Sequence, residues 1–235
     1  MPVKAWLQGQ QFDLETLADL FREGEPKVAQ EGSDYYITSA SFDDLFQDGG
    51  LLNETALSLL RHANGIARAI SSGYRPVTLV GRFTDESGGT TQVIAAASAE
   101  MRMKASAVAI VISGGVEQPA PPTPGPGYMQ KVASNAAVRE VLEILGKPVP
   151  ELDWFDLYKV YEIIRDDVGR SAIIANGWAT SGEVNVFTES ANRPEVSGDG
   201  ARHARLPGQP SGRSMNPGEG AELVKRIAVG WLDSL

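Results

Sequence analysis

The segment from Gln118 to Gly127 constrains the fold of this chain more than any other part of the sequence. It reads QPAPPTPGPG, so five of its ten residues are prolines and two are glycines. Proline has no backbone N–H and fixes φ, so this composition favours an extended, polyproline-like connector. We therefore predict a domain boundary here, between residues 1–117 and 128–235. The alternative is that the segment is a strap packed over a single domain.

The residues before this connector predict short antiparallel strands and one long helix. Apolar side chains recur every three or four residues from Ala56 to Ile70, with Asn53 as the predicted N-cap of that helix. A first short helix is expected to begin at Asp13. Runs suited to strands are Val3–Leu7, Lys27–Gln30, Tyr35–Thr38, Pro76–Thr84, Thr90–Ala97 and Ala107–Ile112.

The residues after the connector predict a mainly helical part. Helices are expected from Val132 to Leu145, from an Asp153 cap to Val168, and from Asn216-Pro217 to the end of the chain. Residues 184–190 suit a short helix or a strand, and residues 196–214 suit a long loop. The predicted fold class is therefore α+β, with short antiparallel strands and one long helix followed by a mainly helical C-terminal part.

Composition argues against several classes of function. The net charge of −9 disfavours binding to phosphate backbones, so nucleic acid is an unexpected partner. The chain has no cysteine, and its two histidines, His62 and His203, are far apart in sequence. We therefore expect no metal site. An all-carboxylate magnesium site at Asp43-Asp44 or Asp166-Asp167 is the disfavoured alternative, because adjacent side chains point to different sides of a helix or strand. The phosphate-binding loop patterns are absent, so we expect no cofactor. The GxSxG pattern of a serine-hydrolase elbow is absent as well.

The expected location is the cytoplasm. The N-terminus, MPVKAWLQGQQFDLE, lacks the apolar stretch of a signal peptide. The longest apolar run, Ala105 to Ile112, is far too short to cross a bilayer. The sequence therefore predicts a protein without a membrane partner.

The best candidate site lies between Phe187 and Arg205, where amide, carboxylate, hydroxyl, imidazole and guanidinium groups are concentrated next to glycines. In a catalytic reading, His203 is a general acid or base and Arg202 stabilises an oxyanion or a phosphate. Glu162, from the preceding helix, would orient the imidazole. Candidate ligand-binding residues are Asn192, Asp199 and Arg205.

A structural reading of the same residues stays open beside the catalytic one. Arg202 and Asp199 would form an ion pair that pins the long loop, and Asn192 would bond backbone at a helix end before Pro194. Adjacent residues such as Arg202 and His203 do not share one face of a helix or strand. The aromatic residues Trp154, Tyr161 and Trp231 fall on predicted apolar stripes and are expected in the core, whereas Tyr158 is expected to point elsewhere.

Several short motifs in the last ninety residues resemble a group of uncharacterised bacterial proteins to which no activity is attached. These motifs are Trp154-Phe-Asp-Leu-Tyr-Lys-Val-Tyr-Glu162, Phe187-Thr-Glu-Ser-Ala-Asn192, Gly198-Asp-Gly-Ala-Arg-His203, Met215-Asn and Gly230-Trp-Leu. A fainter likeness is to HEPN-type helical ribonuclease domains, in which an arginine and a histidine a few residues apart act on RNA. This chain departs from that pattern, because Arg202 and His203 are adjacent and Arg193 lies ten residues before His203.

These observations lead to two functional hypotheses of different classes. The first is a non-catalytic binding or assembly protein of bacterial type, acting through a protein partner or self-association, with the Asn192–Arg205 loop as its recognition or structural element. The alternative is a nuclease-like or other phosphate-handling hydrolase that uses Arg202 and His203. Burial of both Arg202 and His203 in a saturated ion network would favour the first hypothesis, and a cleft holding both side chains near Glu162 would favour the second.

Overall fold

The predicted α+β class is confirmed. The computed structural model describes residues 2–85, 87–92, 112–113, 116–117, 123–203 and 212–235. The chain divides into two compact units, unit 1 (Met1–Ala63 and Val77–Gln130) and unit 2 (Asn64–Pro76 and Lys131–Leu235). The predicted boundaries on either side of residues 118–127 stay predictions, since residues 118–122 lie outside the described residues.

Unit 1 contains a five-stranded antiparallel sheet in the order β2-β3-β1-β4-β5. The strands are β1 (Lys4–Gln8), β2 (Lys27–Glu31), β3 (Asp34–Thr38), β4 (Thr78–Thr84) and β5 (Thr90–Gln92). A tight turn at Gly32 and Ser33 joins β2 to β3, and Gly32 adopts a φ of 62°, a left-handed conformation that glycine reaches without a steric penalty. The hairpin expected between residues 27 and 38 is therefore confirmed.

Alternating side chains give this sheet one apolar face and one polar face. Ala5, Ile37 and Phe83 are fully buried on the first face. On the second face the Arg82 guanidinium lies 4.2 Å from the centre of the Trp6 ring, and Lys4 lies 4.9 Å from the centre of the Tyr36 ring. Cations thus cover the aromatic rings of the outer face, an arrangement that shields apolar surface while keeping charge near water.

Three helices of unit 1 lie before β4, and the first part of a further helix, residues 124–130, also belongs to this unit. They are α1 (Gln11–Leu20), α2 (Ala40–Asp43) and α3 (Gly49–Ile70). Residues up to Ala63 of α3 belong to unit 1 and residues from Asn64 onward to unit 2. Two further strands, β6 (Ile112–Ser113) and β7 (Val116–Glu117), form a small antiparallel pair.

The regular secondary structure of unit 2 is helical among its described residues. Its helices are the end of α3, the last turn of α4 (Pro124–Ser134), α5 (Ala136–Leu145), α6 (Trp154–Val168), α7 (Arg170–Ala175), α8 (Ser181–Asn192), α9 (Pro194–Ser197) and α10 (Pro217–Ser234), with a 3-10 turn at Gly198–Gly200. The prediction of a helical C-terminal part is therefore confirmed, and the undecided residues 184–190 are helical.

Two helix starts differ from the sequence prediction. Gln10, and not Asp13, is the N-cap of α1, and Asp13 is buried in the first turn. Helix α3 begins at Gly49, before the predicted cap Asn53, and the Asp48 carboxylate accepts a hydrogen bond from the backbone N–H of Leu51 at 3.1 Å. In both helices the chain becomes helical before the residue that the pattern favoured. Helix α1 starts at Gln10 without a side-chain cap, whereas Asp48 supplies the acceptor at the start of α3.

The single helix predicted from Val132 to Leu145 is two helices. Asn135 separates them and caps α5, because its side-chain oxygen accepts hydrogen bonds from the backbone N–H groups of Ala137 and Val138 at 2.9 and 3.3 Å. The end of the proline-rich segment is also helical, since α4 begins at Pro124. The predicted extended conformation is therefore wrong for residues 124–127, because proline is compatible with the first turn of a helix.

Two predicted caps are confirmed. Asp153 accepts a hydrogen bond from the backbone N–H of Asp156 at 2.9 Å, and Asn216 forms a reciprocal capping box with Glu219. A second capping box, between Thr180 and Glu183, begins α8. The predicted strand residues 93–97 and 107–111, and the loop residues 204–211, lie outside the described residues.

Gly65 gives a test of close helix packing in unit 2. A Cβ at this position would lie 2.3 Å from the backbone oxygen of Leu142, so we expect Gly65→Ala to lower the free energy of unfolding by at least about 2 kcal/mol despite alanine's helix propensity. Gly50 is the matched control in the same helix, since a Cβ there meets only Asp48 Oδ1 at 3.6 Å. Urea unfolding of both variants measures the difference, and equal effects would contradict the packing argument.

Candidate functional site

Arg202 is held against the C-terminal end of α8. Its backbone N–H donates a hydrogen bond to the carbonyl of Ala191 at 2.9 Å. The neighbouring Ser190 is fully buried, and its carbonyl accepts a hydrogen bond from the Ser197 hydroxyl. The Ser190 hydroxyl also accepts from the backbone N–H of Met215 at 2.8 Å. These hydrogen bonds attach residues 193–203, and the residues just before α10, to α8. We call residues 193–203 the clasp segment.

Three groups contact the Arg202 guanidinium. One nitrogen lies 3.3 Å from Glu162 Oε2 and another lies 3.3 Å from Asn192 Oδ1. The guanidinium carbon lies 3.9 Å from the centre of the Tyr158 ring. Arginine thus makes a charged hydrogen bond, a neutral hydrogen bond and a cation–π contact, the combination that its planar fork allows and that lysine does not reproduce.

Packed aromatic residues hold the Tyr158 ring, over which the Arg202 guanidinium lies. The Tyr158 ring stacks on Phe187 at 6.0 Å with an interplanar angle of 13°, and the Phe187 ring also contacts Trp154 and Tyr161. Trp154 and Tyr161 are in the core as predicted. Tyr158 is buried as well, although the sequence suggested that it points elsewhere. Burial raises the pKa of Tyr161, so its phenol stays protonated at neutral pH.

Glu162 belongs to a run of alternating charges along α6. Its other carboxylate oxygen lies 3.9 Å from Arg165, and Arg165 lies 2.8 Å from Asp166. Asn192 is also engaged twice, since its Nδ2 donates to the carbonyl of Thr188 at 2.8 Å while its Oδ1 accepts from Arg202. The acceptors that face Arg202 are therefore themselves held in place, and two of the guanidinium nitrogens donate to them.

The structure brings together three of the six candidate residues, Glu162, Asn192 and Arg202. Asp199 and His203 are exposed, and Arg205 lies outside the described residues. Among the hydrogen bonds of the described residues, none joins Glu162 to His203, and the ion-pair partner of Arg202 is Glu162 and not Asp199. The predicted backbone bond of Asn192 at the helix end is present.

A groove lies between the N-terminal halves of α8 and α10, and Met215, whose backbone N–H donates to the Ser190 hydroxyl, is part of its wall. Its volume is about 680 Å³. The lining residues are Glu183, Val186, Arg213, Ser214, Met215, Gly218, Glu219, Glu222, Leu223 and Arg226. Hydrogen bonds from the backbone N–H and hydroxyl of Thr180, and the Arg226 guanidinium at 2.5 Å, hold the pKa of Glu183 below its ordinary value. The groove therefore keeps a charged carboxylate on its α8 wall at neutral pH.

The described residues contain no cluster of three or more His, Cys, Asp and Glu side chains that could hold a metal ion. Of the adjacent acids Asp166 and Asp167, the first pairs with Arg165 and the second accepts a hydrogen bond from the Trp231 indole at 2.8 Å. None of the helices within the described ranges is both long enough and apolar enough to cross a bilayer.

Comparison of the chain with protein-family models, with curated proteins and with solved structures finds no match. The site is therefore interpreted from its own geometry.

Some features of the site had weak sequence signals. Tyr158 lies four residues before Glu162, so both side chains occupy one face of α6, and a guanidinium that reaches Glu162 passes over the Tyr158 ring. Ser190 has no such signal, because one serine in a polar stretch does not reveal that its carbonyl and hydroxyl both receive long-range hydrogen bonds.

Arg202 gives a direct test of the clasp. We expect Arg202→Ala to lower the free energy of unfolding by about 1.5–3 kcal/mol, because it leaves Glu162 and Asn192 without their shared donor. Arg202→Lys should recover less than half of this loss, since an ammonium cannot form the same fork. His203→Ala, at an exposed position next in sequence, is the control and should change stability by less than about 0.5 kcal/mol. Thermal and urea unfolding measure all three, and equal effects at the two positions would contradict the clasp.

Glu183 gives a prediction for acid pH. Its pKa is lower in the folded protein than in the unfolded chain, so its stabilisation is fully present above the unfolded value of about 4.3 and is lost as pH falls through the folded value. Glu183→Gln keeps a cap acceptor but does not titrate. We therefore expect the melting temperature to fall less in this variant than in wild type between about pH 6 and pH 3. Glu195→Gln, exposed on α9, is the control and should follow wild type.

Proposed function

We propose that this protein is a non-catalytic binding protein whose recognition surface is the clasp segment, residues 193–203, together with the adjoining groove between α8 and α10. The proposal includes a bacterial, cytoplasmic setting and a protein partner, which is a second copy of the chain or another protein. One observation carries it, which is that the Arg202 guanidinium is engaged by Glu162, Asn192 and Tyr158.

The contacts of Arg202 support a structural role for this residue. A catalytic arginine acts by presenting its guanidinium to a developing negative charge on a substrate. Here Glu162 occupies one edge of the guanidinium, Asn192 another and Tyr158 its face, and the side chain is only 23% exposed. An anionic substrate would therefore have to displace a carboxylate that is already in place, which costs the charged hydrogen bond to Glu162.

The clasp segment is suited to recognition because its exposed residues sit on a fixed backbone. Ser190, Ala191 and Asn192 hold the segment at Ser197 and Arg202. Between and beside these anchors, Glu195, Asp199 and His203 are exposed. Binding to a fixed surface costs less conformational entropy than binding to a free loop, because a free loop must be ordered in the complex. Fixation of the clasp segment at its anchors therefore supports binding.

The groove supplies the apolar component that the clasp segment lacks. Val186 and Met215 are half-buried and Leu223 is buried along its wall. Polar rims around an apolar strip are typical of protein interfaces, in which buried side chains give affinity and surrounding polar groups give orientation. The overall charge of −9 further favours a protein partner over nucleic acid.

The rival proposal is a phosphate-handling hydrolase, and exposure of His203 directly after Arg202 is the observation in its favour. An exposed imidazole can exchange protons with a substrate near neutral pH. A hydrolase of this kind would need the Arg202 guanidinium to leave Glu162 and contact the substrate. Substitution of Arg202 and substitution of His203 would then each lower the turnover rate.

The first experiment is light scattering of the purified protein with absorbance at 260 nm recorded on the same peak. We expect a mass above that of one chain, or a co-eluting protein, and we expect Asp199→Lys on the clasp segment to reduce that association. The control is Glu151→Lys, which makes the same charge change at an exposed position before α6 and should associate like wild type.

Hydrolysis of RNA and of bis-p-nitrophenyl phosphate is measured on the same samples. The binding proposal predicts no turnover that depends on both Arg202 and His203. It is overturned by a monomer that carries nucleotide lost on His203→Ala, or by hydrolysis that both His203→Ala and Arg202→Lys abolish while the variants stay folded.

A further inference from the structure

The negative charge of this protein is concentrated in unit 1. Unit 1 carries 15 Asp and Glu against 7 Lys and Arg, whereas unit 2 carries 15 against 14. The two units therefore differ by about seven charges, although they are similar in length. Such an imbalance steers oppositely charged partners toward one part of a molecule.

Within unit 1 the imbalance is sharpest from Val28 to Leu60. These 33 residues contain no lysine or arginine. They contain six acidic residues, all of which are exposed, namely Glu31, Asp34, Asp43, Asp44, Asp48 and Glu54. Two of them are paired with cations from other strands, Glu31 with Lys4 and Asp34 with Arg82. The remaining four lie in the short stretch that ends α2 and begins α3.

The same stretch carries exposed apolar surface along one side of α3. A shallow groove of about 400 Å³ is lined by Leu51, Glu54, Thr55, Ser58, Leu59 and His62. These positions follow the three- and four-residue spacing of a single helix face. Leu51 is 47% exposed, so the groove presents a leucine side chain to water beside the Glu54 carboxylate.

We infer that this face of α3 docks a basic amphipathic helix of a partner protein. Leu51 and Leu59 offer apolar contact, and the short side chains of Thr55 and Ser58 between them let a second helix approach closely. Asp48 and Glu54 place carboxylates beside this stripe, so lysine or arginine flanking an apolar stripe on the partner helix is complementary. An apolar stripe with charged flanks in a groove is a recurring mode of helix recognition.

A second copy of the chain fits this face less well than a different protein. Helix α10 carries Lys225 and Arg226, but its apolar side chains Leu223, Ile227 and Trp231 are already buried in unit 2. Its basic residues are also paired, with Glu222 and Glu183. Nucleic acid is disfavoured because the surface is negatively charged. Helix α10 therefore does not supply the cationic helix, and we take the occupant to be a helix of a different protein.

The inference is independent of the proposed function, since the clasp segment and its groove belong to unit 2 and the α3 face belongs to unit 1. A variant that loses binding at one of these surfaces can still be tested for binding at the other.

The probe is a synthetic, fluorescently labelled 14-residue peptide of leucine and lysine whose leucines fall on one helical face. Fluorescence anisotropy measures its dissociation constant for wild type, Leu51→Gln and Leu57→Gln. The two leucines are in the same helix and are 47% and 48% exposed, but only Leu51 lines the groove. We expect Leu51→Gln to weaken binding at least fivefold and Leu57→Gln to weaken it less than twofold.

Charge is tested with a second matched pair in unit 1. Glu54→Lys, in the groove, should weaken binding at least tenfold at low ionic strength, and the difference from wild type should shrink as salt is added. Glu23→Lys makes the same charge change at an exposed position outside the groove and should weaken binding less than threefold. Circular dichroism confirms that each variant keeps its helix content.

Three results would overturn the inference. The first is absence of peptide binding at millimolar concentration. The second is equal binding of a scrambled peptide of the same composition, which would indicate charge attraction without a helix face. The third is equal effects of Leu51→Gln and Leu57→Gln, which would place the contact elsewhere.

Discussion

The packing of Phe187 between helices is the constraint on which the described part of unit 2 depends. Its fully buried ring, on α8, contacts Trp154, Tyr158 and Tyr161, which all project from α6. Gly220 lets α10 reach the same cluster, because a Cβ there would lie 2.7 Å from the Trp154 ring. Three helices thus meet around aromatic rings that tolerate little displacement, since close-packed interiors lose contact energy steeply with small gaps.

The geometry around Arg202 follows from this aromatic packing. Glu162 and Tyr158 lie on α6 and Asn192 on α8, so the spacing of those two helices sets the spacing of the three groups that contact the guanidinium. A long polar segment is consequently fixed by a few side chains whose positions the core determines. The segment looks catalytic by composition because the groups that fasten a loop, namely amide, carboxylate and guanidinium, are also the groups of active sites.

Sequence patterns predicted the elements with strong local signals, and failed where a local pattern fitted two conformations or where a contact is distant in sequence. The hairpin of β2 and β3, the periodic part of α3 and the caps Asp153 and Asn216 depend on neighbouring residues and were predictable. The break at Asn135 was not, because the apolar spacing continues across it while the side chain caps a new helix. The partner of Arg202 was not predictable either, since Glu162 lies 40 residues away and Asp199 only three. Extended conformation was expected at residues 124–127 from composition alone, although proline also suits a first helical turn.

The division of α3 between the two units affects the order in which the chain can fold during synthesis. Residues 64–76 leave the ribosome early, yet they belong to the same compact unit as residues 131–235, which follow more than fifty residues later. Gly65 and Arg68 contact the backbone of α5, so this part of α3 gains its packing only when α5 has been made. Until then the Arg68 guanidinium lacks the Leu145 carbonyl, to which it donates a hydrogen bond at 2.9 Å. The contacts between α3 and α5 in unit 2 therefore form only after residues 136–145 have been translated.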